Sequence, residues 1–195
     1  MEPAIKRDFS LEEYNQLEEQ TNTRYEYHGG PGGYGEVYAM AGGSPKHGII
    51  AGNAIGSIQR RLEKGCRVGS SDLKFYISSI DKSLYPDASV ICRPYQISQQ
   101  DRNALINPLL LVEVLSESTA NYDRGSKFHY YSELPSFCEY VLIEQDRWKA
   151  ETRYRSAPDE EWRMNWYEGK DAEVVLRSIN ATTPLAELYL ETEEL

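Results

Sequence analysis

The sequence predicts a mixed α/β (α+β) fold, a central mixed sheet with helices packed against it, and three observations carry this prediction. Residues 108–115 form a continuous apolar run with a single acid, as in a strand buried on both faces. Strand-like and helical patterns follow one another in the order strands, helix, strands, helix, strand. Between residues 148 and 176 polar and apolar residues alternate with turns between them, which predicts an antiparallel meander.

The helices are predicted from their start signals. Ser10 is followed three residues later by Glu13, a capping-box pattern. Ser44 and Pro45 have the residue types of an N-cap and a first helical position, and Gly65 ends the apolar stripe that follows. Together these signals and the periodicity predict helices over residues 9–19, 45–64, 119–133 and 183–189.

The strands are predicted from alternation and from bounding turns. The glycine-rich segment 29–35 has the composition of a phosphate-binding loop but lacks the Lys-Ser/Thr of a P-loop, so a long hairpin turn is the favoured interpretation. Residues 93–107 are polar and predicted to form a loop. Strands are expected at residues 24–28, 36–41, 66–69, 72–79, 87–92, 108–115 and 140–144.

Composition places the chain among ordinary globular domains. Its 195 residues are 40% hydrophobic and 27% charged, which excludes a disordered or fibrous protein. We expect one domain over residues 1–195, with a core at about 24–145 and a meander with a helix at about 148–190. Because no long apolar run or signal peptide is evident, we expect a cytoplasmic protein. Its three cysteines, Cys66, Cys92 and Cys138, are expected to be reduced.

The net charge of −10 is spread unevenly along the chain. Both ends are acidic, whereas residues 41–132 carry a small positive charge and are the part best suited to a polyanion. A generally basic DNA-binding protein is therefore disfavoured. An enzyme with a local basic cleft inside an acidic shell remains compatible with this distribution.

Glu113 is the acid inside the apolar run. Burying an ionised carboxylate costs about several kcal/mol, and a paired positive charge or a bound metal ion must offset that cost. One interpretation is a structural ion pair with Arg124 or Lys127. The other is a metal ligand, and the sequence around Glu113 alone does not separate the two.

Asp87 favours the interpretation of Glu113 as a metal ligand. It follows Pro86, which fits the first position of a strand because proline cannot donate a ladder hydrogen bond. If this strand neighbours the one with Glu113, the two carboxylates converge, and two such groups repel each other unless a cation lies between them. Mg²⁺ suits a pair of this kind, since it takes one or two carboxylates and completes its shell with water and phosphate oxygens.

An ordered set of motifs resembles the Uma2 family, also called DUF820, of the PD-(D/E)XK nuclease superfamily. The resemblance runs from about Tyr25 to Tyr189 and rests on the following segments: residues 36–47 (EVYAMAGGSPKH), 70–74 (SSDLK), 85–87 (YPD), 107–119 (NPLLLVEVLSEST), 122–131 (YDRGSKFHYY) and 139–142 (EYVL). Any one of these segments is weak as a signal, whereas the ordered set is specific. The resemblance implies a restriction-endonuclease-like fold with a central mixed β-sheet flanked by helices.

The resemblance also implies roles for particular residues. Asp87 corresponds to the acid of the Pro-Asp motif and Glu113 to the second acid. The superfamily's Glu-x-Lys pattern would place a lysine at position 115, but this chain has Leu115. A lysine from the following helix, Lys127, fits as the replacement, and Lys74 is the alternative.

Several further residues are candidates with structural alternatives. Glu36 is a possible outer acid, or an exposed strand residue; His47 faces either the site or the core. Asp72 is a possible ligand or a turn residue. Contacts with backbone phosphates are expected from bases of the middle segment: Arg60, Arg61, Lys64 and Arg124.

The resulting functional expectation is an endonuclease that hydrolyses DNA phosphodiester bonds with Mg²⁺ or Mn²⁺, acting as a homodimer. The first alternative is a catalytically inactive nuclease fold that serves as a binding module, favoured by the acidic balance and by Leu115. A glycoside hydrolase with two carboxylates is a more distant alternative, because most aromatic residues occupy core-like positions.

Overall fold

Two six-stranded sheets, a two-stranded sheet and short helices make up the chain in a computed structural model, which describes residues 6–21, 23–40 and 42–195. The helices are α1 (Leu11–Thr21), α2 (Pro45–Gln59), α3 (Ala120–Tyr122), α4 (Phe128–Ser132) and α5 (Leu185–Leu188). The strands are β1 (Lys6–Phe9), β2 (Tyr25–Gly29), β3 (Gly35–Ala39), β4 (Cys66–Ser70), β5 (Lys74–Ile77), β6 (Lys82–Leu84), β7 (Ala88–Cys92), β8 (Ala104–Leu105), β9 (Pro108–Leu115), β10 (Glu139–Glu144), β11 (Lys149–Tyr154), β12 (Arg163–Glu168), β13 (Glu173–Leu176) and β14 (Ala181–Pro184).

The first sheet has the order β1-β3-β2-β6-β5-β8. Its β2–β3 hairpin closes through the glycine-rich segment, with Gly29 opposite Gly35 and a 3₁₀ turn over Pro31–Gly33. Gly32 adopts a positive φ of 83°, which glycine does without steric strain. The prediction of a hairpin turn is confirmed. Strands β1, β6 and β8 are too short to give a readable alternation and were not predicted.

The second sheet, with the order β12-β11-β10-β9-β7-β4, contains the predicted central strand. Strand β9 runs parallel to β10 and antiparallel to β7, so the sheet is mixed. Leu110 and Val112 point into a core built with α2 and α5. Leu111 and Leu115 point to the other face, where they pack with residues of β5, β6 and β10. The fold class is therefore confirmed, and β9 is buried on both faces as predicted.

Helix α2 begins where its cap predicts. Pro45 is its first residue, and the Ser44 hydroxyl accepts a hydrogen bond from the His47 backbone N–H at 3.1 Å. The helix ends at Gln59, earlier than the predicted stop at Gly65. The helix expected over residues 119–133 is divided, since one π-helical turn over Asp123–Lys127 lies between α3 and α4.

The C-terminal meander is only partly as expected. Strands β10, β11 and β12 form an antiparallel series at the edge of the second sheet. Strand β13 then leaves this series and pairs with β14. Buried side chains explain the departure, because Val174 and Leu176 of β13 pack into the core beneath α2, together with Leu185 and Leu188 of α5. The single-domain expectation stays a prediction.

The expectation for the cysteines is wrong for two of the three. Cys66 and Cys92 are Cα partners on the antiparallel strands β4 and β7, 4.0 Å apart, and their sulfurs form a disulfide. Cys138 is free. The pairing depends on the register of two strands separated by 26 residues, and that register cannot be read from local sequence patterns. In the part of the chain that the structure describes, no helix combines the length and apolar character needed to cross a membrane.

We expect thiol titration of the protein, unfolded without reductant, to detect one thiol, and titration after reduction to detect three. Replacing both Cys66 and Cys92 with serine should lower the free energy of unfolding by about 3 kcal/mol, the entropy of closing a loop of this length. Cys138→Ser is the matched control and should leave the thiol pairing unchanged. Three thiols in the unreduced protein would contradict the disulfide.

Candidate active site

A cavity of about 630 Å³ lies at the end of the second sheet where β7 begins. The register pairs Ala88 with Val112, so the next pair outward in this antiparallel ladder is Asp87 and Glu113. Both side chains line the cavity. The prediction that two acids distant in sequence meet therefore follows from the register of β7 and β9.

Both oxygens of Asp87 are held by the protein. Oδ2 accepts a hydrogen bond from the Val114 backbone N–H at 2.7 Å, and Oδ1 lies 3.0 Å from His47 Nε2. The hydrogen bond with Asp87 raises the pKa of His47, against the opposing effect of burial. A side chain at Gly43 would come within 2.7 Å of the imidazole ring, so glycine leaves the room that His47 needs to reach Asp87.

Glu113 is buried, with 3% of its surface exposed. Its Oε1 lies 2.8 Å from Lys127 Nζ in a buried ion pair. Burial raises the pKa of Glu113 well above its usual value; Asp123 and Asp87 raise it further, whereas Lys127 opposes them. Glu113 is thus a buried carboxylate at the wall of a cavity, with Lys127 as its charged partner.

The ammonium of Lys127 is the centre of the cluster. It donates a hydrogen bond to the Tyr85 carbonyl at 3.0 Å and lies 3.5 Å from Glu26 Oε1 and 3.8 Å from Asp123 Oδ1. Burial alone would lower its pKa, but Glu113, Glu26 and Asp123 together hold the pKa of Lys127 well above its usual range. The π-helical turn buries both of its end residues, Asp123 and Lys127, beside the same cavity.

Sequence reasoning missed two residues of this cluster, Glu26 and Tyr122. Glu26 Oε2 accepts a hydrogen bond from the Tyr122 hydroxyl at 2.7 Å. Burial would raise the pKa of Glu26, but Lys127, His28 and Tyr122 outweigh it and lower the pKa. Alternation in β2 places Glu26 on the face opposite to its flanking tyrosines, which predicts exposure. The helical segment 120–132 covers that face, and nothing in the local pattern indicates this cover.

The donor set suits a hard divalent cation. Six acids line the cavity against one lysine and one histidine: Glu26, Asp87, Glu113, Glu117, Asp123 and Asp146 against Lys127 and His47. Within the described ranges, no group of three or more His, Cys, Asp or Glu side chains is arranged to hold a metal ion. Metal binding by the Asp87 and Glu113 carboxylates stays a prediction; two carboxylates completed by water or phosphate oxygens would match the coordination habits of Mg²⁺.

Comparison with known proteins identifies the family. Residues 11–185 match the Uma2 family, described as "Putative restriction endonuclease". The chain belongs to the Uma2 family.

Two relatives of this chain come from Synechocystis sp., and both are described as uncharacterized proteins. The first, slr1290, is 34% identical over 181 residues, covering 92% of this chain and 90% of the relative. The second, sll1609, is 29% identical over 172 residues, covering 88% and 94%. A crystal structure described as "a putative nuclease belonging to DUF820" from Anabaena variabilis matches with a TM-score of 0.67 and 20% identity, over 93% of this chain and 97% of that one. At that identity, the structural match supports the fold alone.

The alternative lysine and two candidate acids lie away from the cavity of this Uma2 protein. Lys74 is buried 2.8 Å from both Glu18 Oε2 and Asp101 Oδ2, in a separate ion network. Glu36 accepts a hydrogen bond from the Tyr38 hydroxyl on β3 and is not among the residues lining the cavity. Asp72 is exposed in a turn and lies 3.3 Å from Arg24.

The arginines expected to bind phosphate are already paired. Arg60 and Arg61 both contact the Glu187 carboxylate, at 2.7 and 2.8 Å. Arg124 lies 2.9 Å from Glu144 and 3.4 Å from Glu151. These pairs arise because α5 presents an acid to the two arginines that follow α2, and β10 and β11 present acids to the arginine of the π turn. The structure thus brings together Asp87, Glu113, Lys127 and His47, and leaves the three arginines outside the site.

Removing one charge at a time tests how the negative and positive charges around Lys127 contribute to the free energy of unfolding. We expect Glu113→Gln to leave the free energy of unfolding unchanged or about 1 kcal/mol higher, because one of several neighbouring negative charges is removed. Lys127→Met should lower it by about 3–5 kcal/mol, because buried carboxylates lose their counter-charge. Chemical denaturation at pH 7 without divalent cations measures both. A large destabilisation by Glu113→Gln would contradict this account of the charges.

The Glu187 contacts predict a pH-dependent contribution to stability. The Arg61, Ser57 and Arg60 hydrogen bonds lower the pKa of Glu187 to about 2. A carboxyl whose pKa is lowered by folding stabilises the protein above its unfolded value, and that contribution disappears as the pH falls through the folded value. Glu187→Gln should therefore lower Tm at pH 7, with a difference that shrinks between about pH 4.5 and about pH 2. A difference that is constant with pH would contradict the ion pair.

Proposed function

We propose that this chain is a metal-dependent nuclease that hydrolyses phosphodiester bonds in DNA, with Asp87 and Glu113 holding Mg²⁺ or Mn²⁺. The observation that carries the proposal is the meeting of these two carboxylates at one cavity, with the Lys127 ammonium 2.8 Å from Glu113. The family description, "Putative restriction endonuclease", supports the same activity, and the Anabaena variabilis protein that shares the fold is described as "a putative nuclease".

Hydrolysis in this site joins a water oxygen to phosphorus and breaks one P–O ester bond. The departing oxygen takes a proton, so the products are a phosphate monoester and an alcohol. A divalent cation, when bound, lowers the pKa of a water and offsets charge on the phosphate. The chain's own residues hold the geometry: Val114 N–H and His47 fix both oxygens of Asp87. Lys127 also lines the cavity, so its positive charge would stabilise negative charge developing on a phosphate bound there.

A second candidate is a binding module that has the nuclease fold without turnover. The observation that favours it is that three carboxylates of the chain itself already surround the Lys127 ammonium: those of Glu26, Glu113 and Asp123. Leu115 stands where the superfamily pattern has its lysine. Calorimetric titration with Mg²⁺ and Mn²⁺ separates the candidates, because a nuclease of the proposed type binds the ion and Asp87→Ala weakens that binding.

The expected homodimer stays a prediction, and sedimentation equilibrium measures it. Strand β12 lies at the edge of the second sheet, where Met164 and Trp166 are exposed.

Cleavage of supercoiled plasmid and of circular single-stranded DNA, with Mg²⁺ or Mn²⁺, tests the nuclease directly. We expect Asp87→Ala and Glu113→Ala each to reduce the rate by at least about 100-fold, the scale of lost electrostatic stabilisation at a reacting group. Asp72→Ala is the matched control, since it removes an exposed acid that does not line the cavity, and it should retain the wild-type rate.

Equal cleavage by wild type and both site variants would show that the activity does not come from this site. No cleavage by the wild type, together with no binding of either metal ion, would favour the binding module instead.

A further inference from the structure

We propose that the cavity takes unpaired DNA, either a single strand or a nucleotide displaced from a duplex, in preference to continuous double-stranded DNA. This inference rests on the proposed nuclease function and names its substrate class. Three features carry it: the size of the cavity, the charge of its walls, and the aromatic and hydroxyl groups on one side.

The cavity has the size of a small-molecule site. Its volume of about 630 Å³ falls inside the range of about 300–1,000 Å³ typical of ligand pockets. Around the acid pair, three further segments contribute to its walls: residues 38–40 at the end of β3, residues 42–44 before α2, and residues 116–119 after β9. The acid pair lies within this wall rather than on a ridge, so a phosphate must enter the cavity to meet it. A flexible strand enters more readily than a base-paired backbone.

The charge of the walls opposes a duplex. Glu117 and Asp146 are exposed at the cavity, in addition to the buried acids. Duplex DNA carries one negative charge per about 1.7 Å of its axis, so neighbouring phosphates on both strands would approach these acids. Proteins that hold a duplex normally place arginine or lysine against the flanking phosphates. Here Arg60, Arg61 and Arg124 are bound to acids of their own chain.

Aromatic and hydroxyl groups in the wall suit a nucleic-acid base. Tyr38 and Tyr122 both line the cavity, and each ring contacts His28, with centroids 4.8 and 6.3 Å apart. Aromatic rings of this kind stack with an exposed base face, which a strand has and a stacked duplex does not. Ser116 and Ser118 supply hydroxyl groups on the opposite segment, and these bind base edges or a phosphate without a formal charge.

The experiment uses one sequence in three forms: single-stranded, fully duplex, and duplex with one unpaired nucleotide. Each labelled oligonucleotide is incubated with the full-length protein and Mn²⁺ at physiological salt, and kcat/KM is measured. We expect the single strand and the unpaired site to be cut at least about 10-fold faster than the duplex. Because few phosphates are bound, log(kcat/KM) for the single strand should fall with log[salt] with a slope smaller in magnitude than about 2.

Charge reversal at the rim tests the cause. Glu117→Lys combined with Asp146→Lys should raise kcat/KM for the duplex at least about 5-fold and steepen its salt dependence. Asp159→Lys is the matched control, because it reverses an exposed acid that does not line the cavity and should leave the preference unchanged.

Faster or equal cleavage of the duplex by the wild type would overturn the inference and leave the nuclease intact. A duplex rate unaffected by the rim reversal would overturn the electrostatic cause. No cleavage of any form would overturn the proposed function and this inference with it.

Discussion

The buried ammonium of Lys127 is the interaction on which the site depends. It lies among carboxylates from β2, β9 and the π-helical turn, and it donates to the Tyr85 carbonyl just before β7. Four separate stretches of the chain therefore meet at one positive charge. Without that charge the three carboxylates would be buried without compensation, which costs more than ordinary packing returns. The ammonium makes it possible for an acidic cluster to exist at the end of a hydrophobic strand.

The part of the fold that could be predicted is the part that local chemistry decides. Strand β9 is recognisable because both of its faces are covered, and α2 because Ser44 and Pro45 supply its cap and first turn. The departure of β13 from the meander and the pairing of Cys66 with Cys92 depend on which distant segments become neighbours. No short pattern contains that information, so both expectations differed from the structure.

In the candidate site too, residues that stand out locally could be predicted, whereas residues placed by distant packing could not. Asp87 and Glu113 stand out in the sequence because each departs from its surroundings, one by following a proline at a strand start and the other by interrupting an apolar run. Glu26 has an ordinary position in an alternating strand, and only the packing of Tyr122 over β2 buries it. The competing lysines, Lys74 and Lys127, are equivalent by residue type. The fold separates them, since Lys74 on β5 is directed to Glu18 of α1 and to Asp101 in the loop before β8.

The position of the lysine has a physical consequence for the strand. A lysine at position 115 would project from β9 on the same face as Glu113, whereas Leu115 there packs into the core formed with β5 and β6. Lys127 supplies the ammonium from a π-helical turn instead. The strand therefore ends as an apolar element, and a positive charge still lies 2.8 Å from Glu113. The same turn contains Asp123, so a further acid lies beside the Lys127 ammonium. The resulting excess of negative charge is what a divalent cation between Asp87 and Glu113 would reduce, and under the proposed function it would also disfavour a second row of phosphates at the cavity.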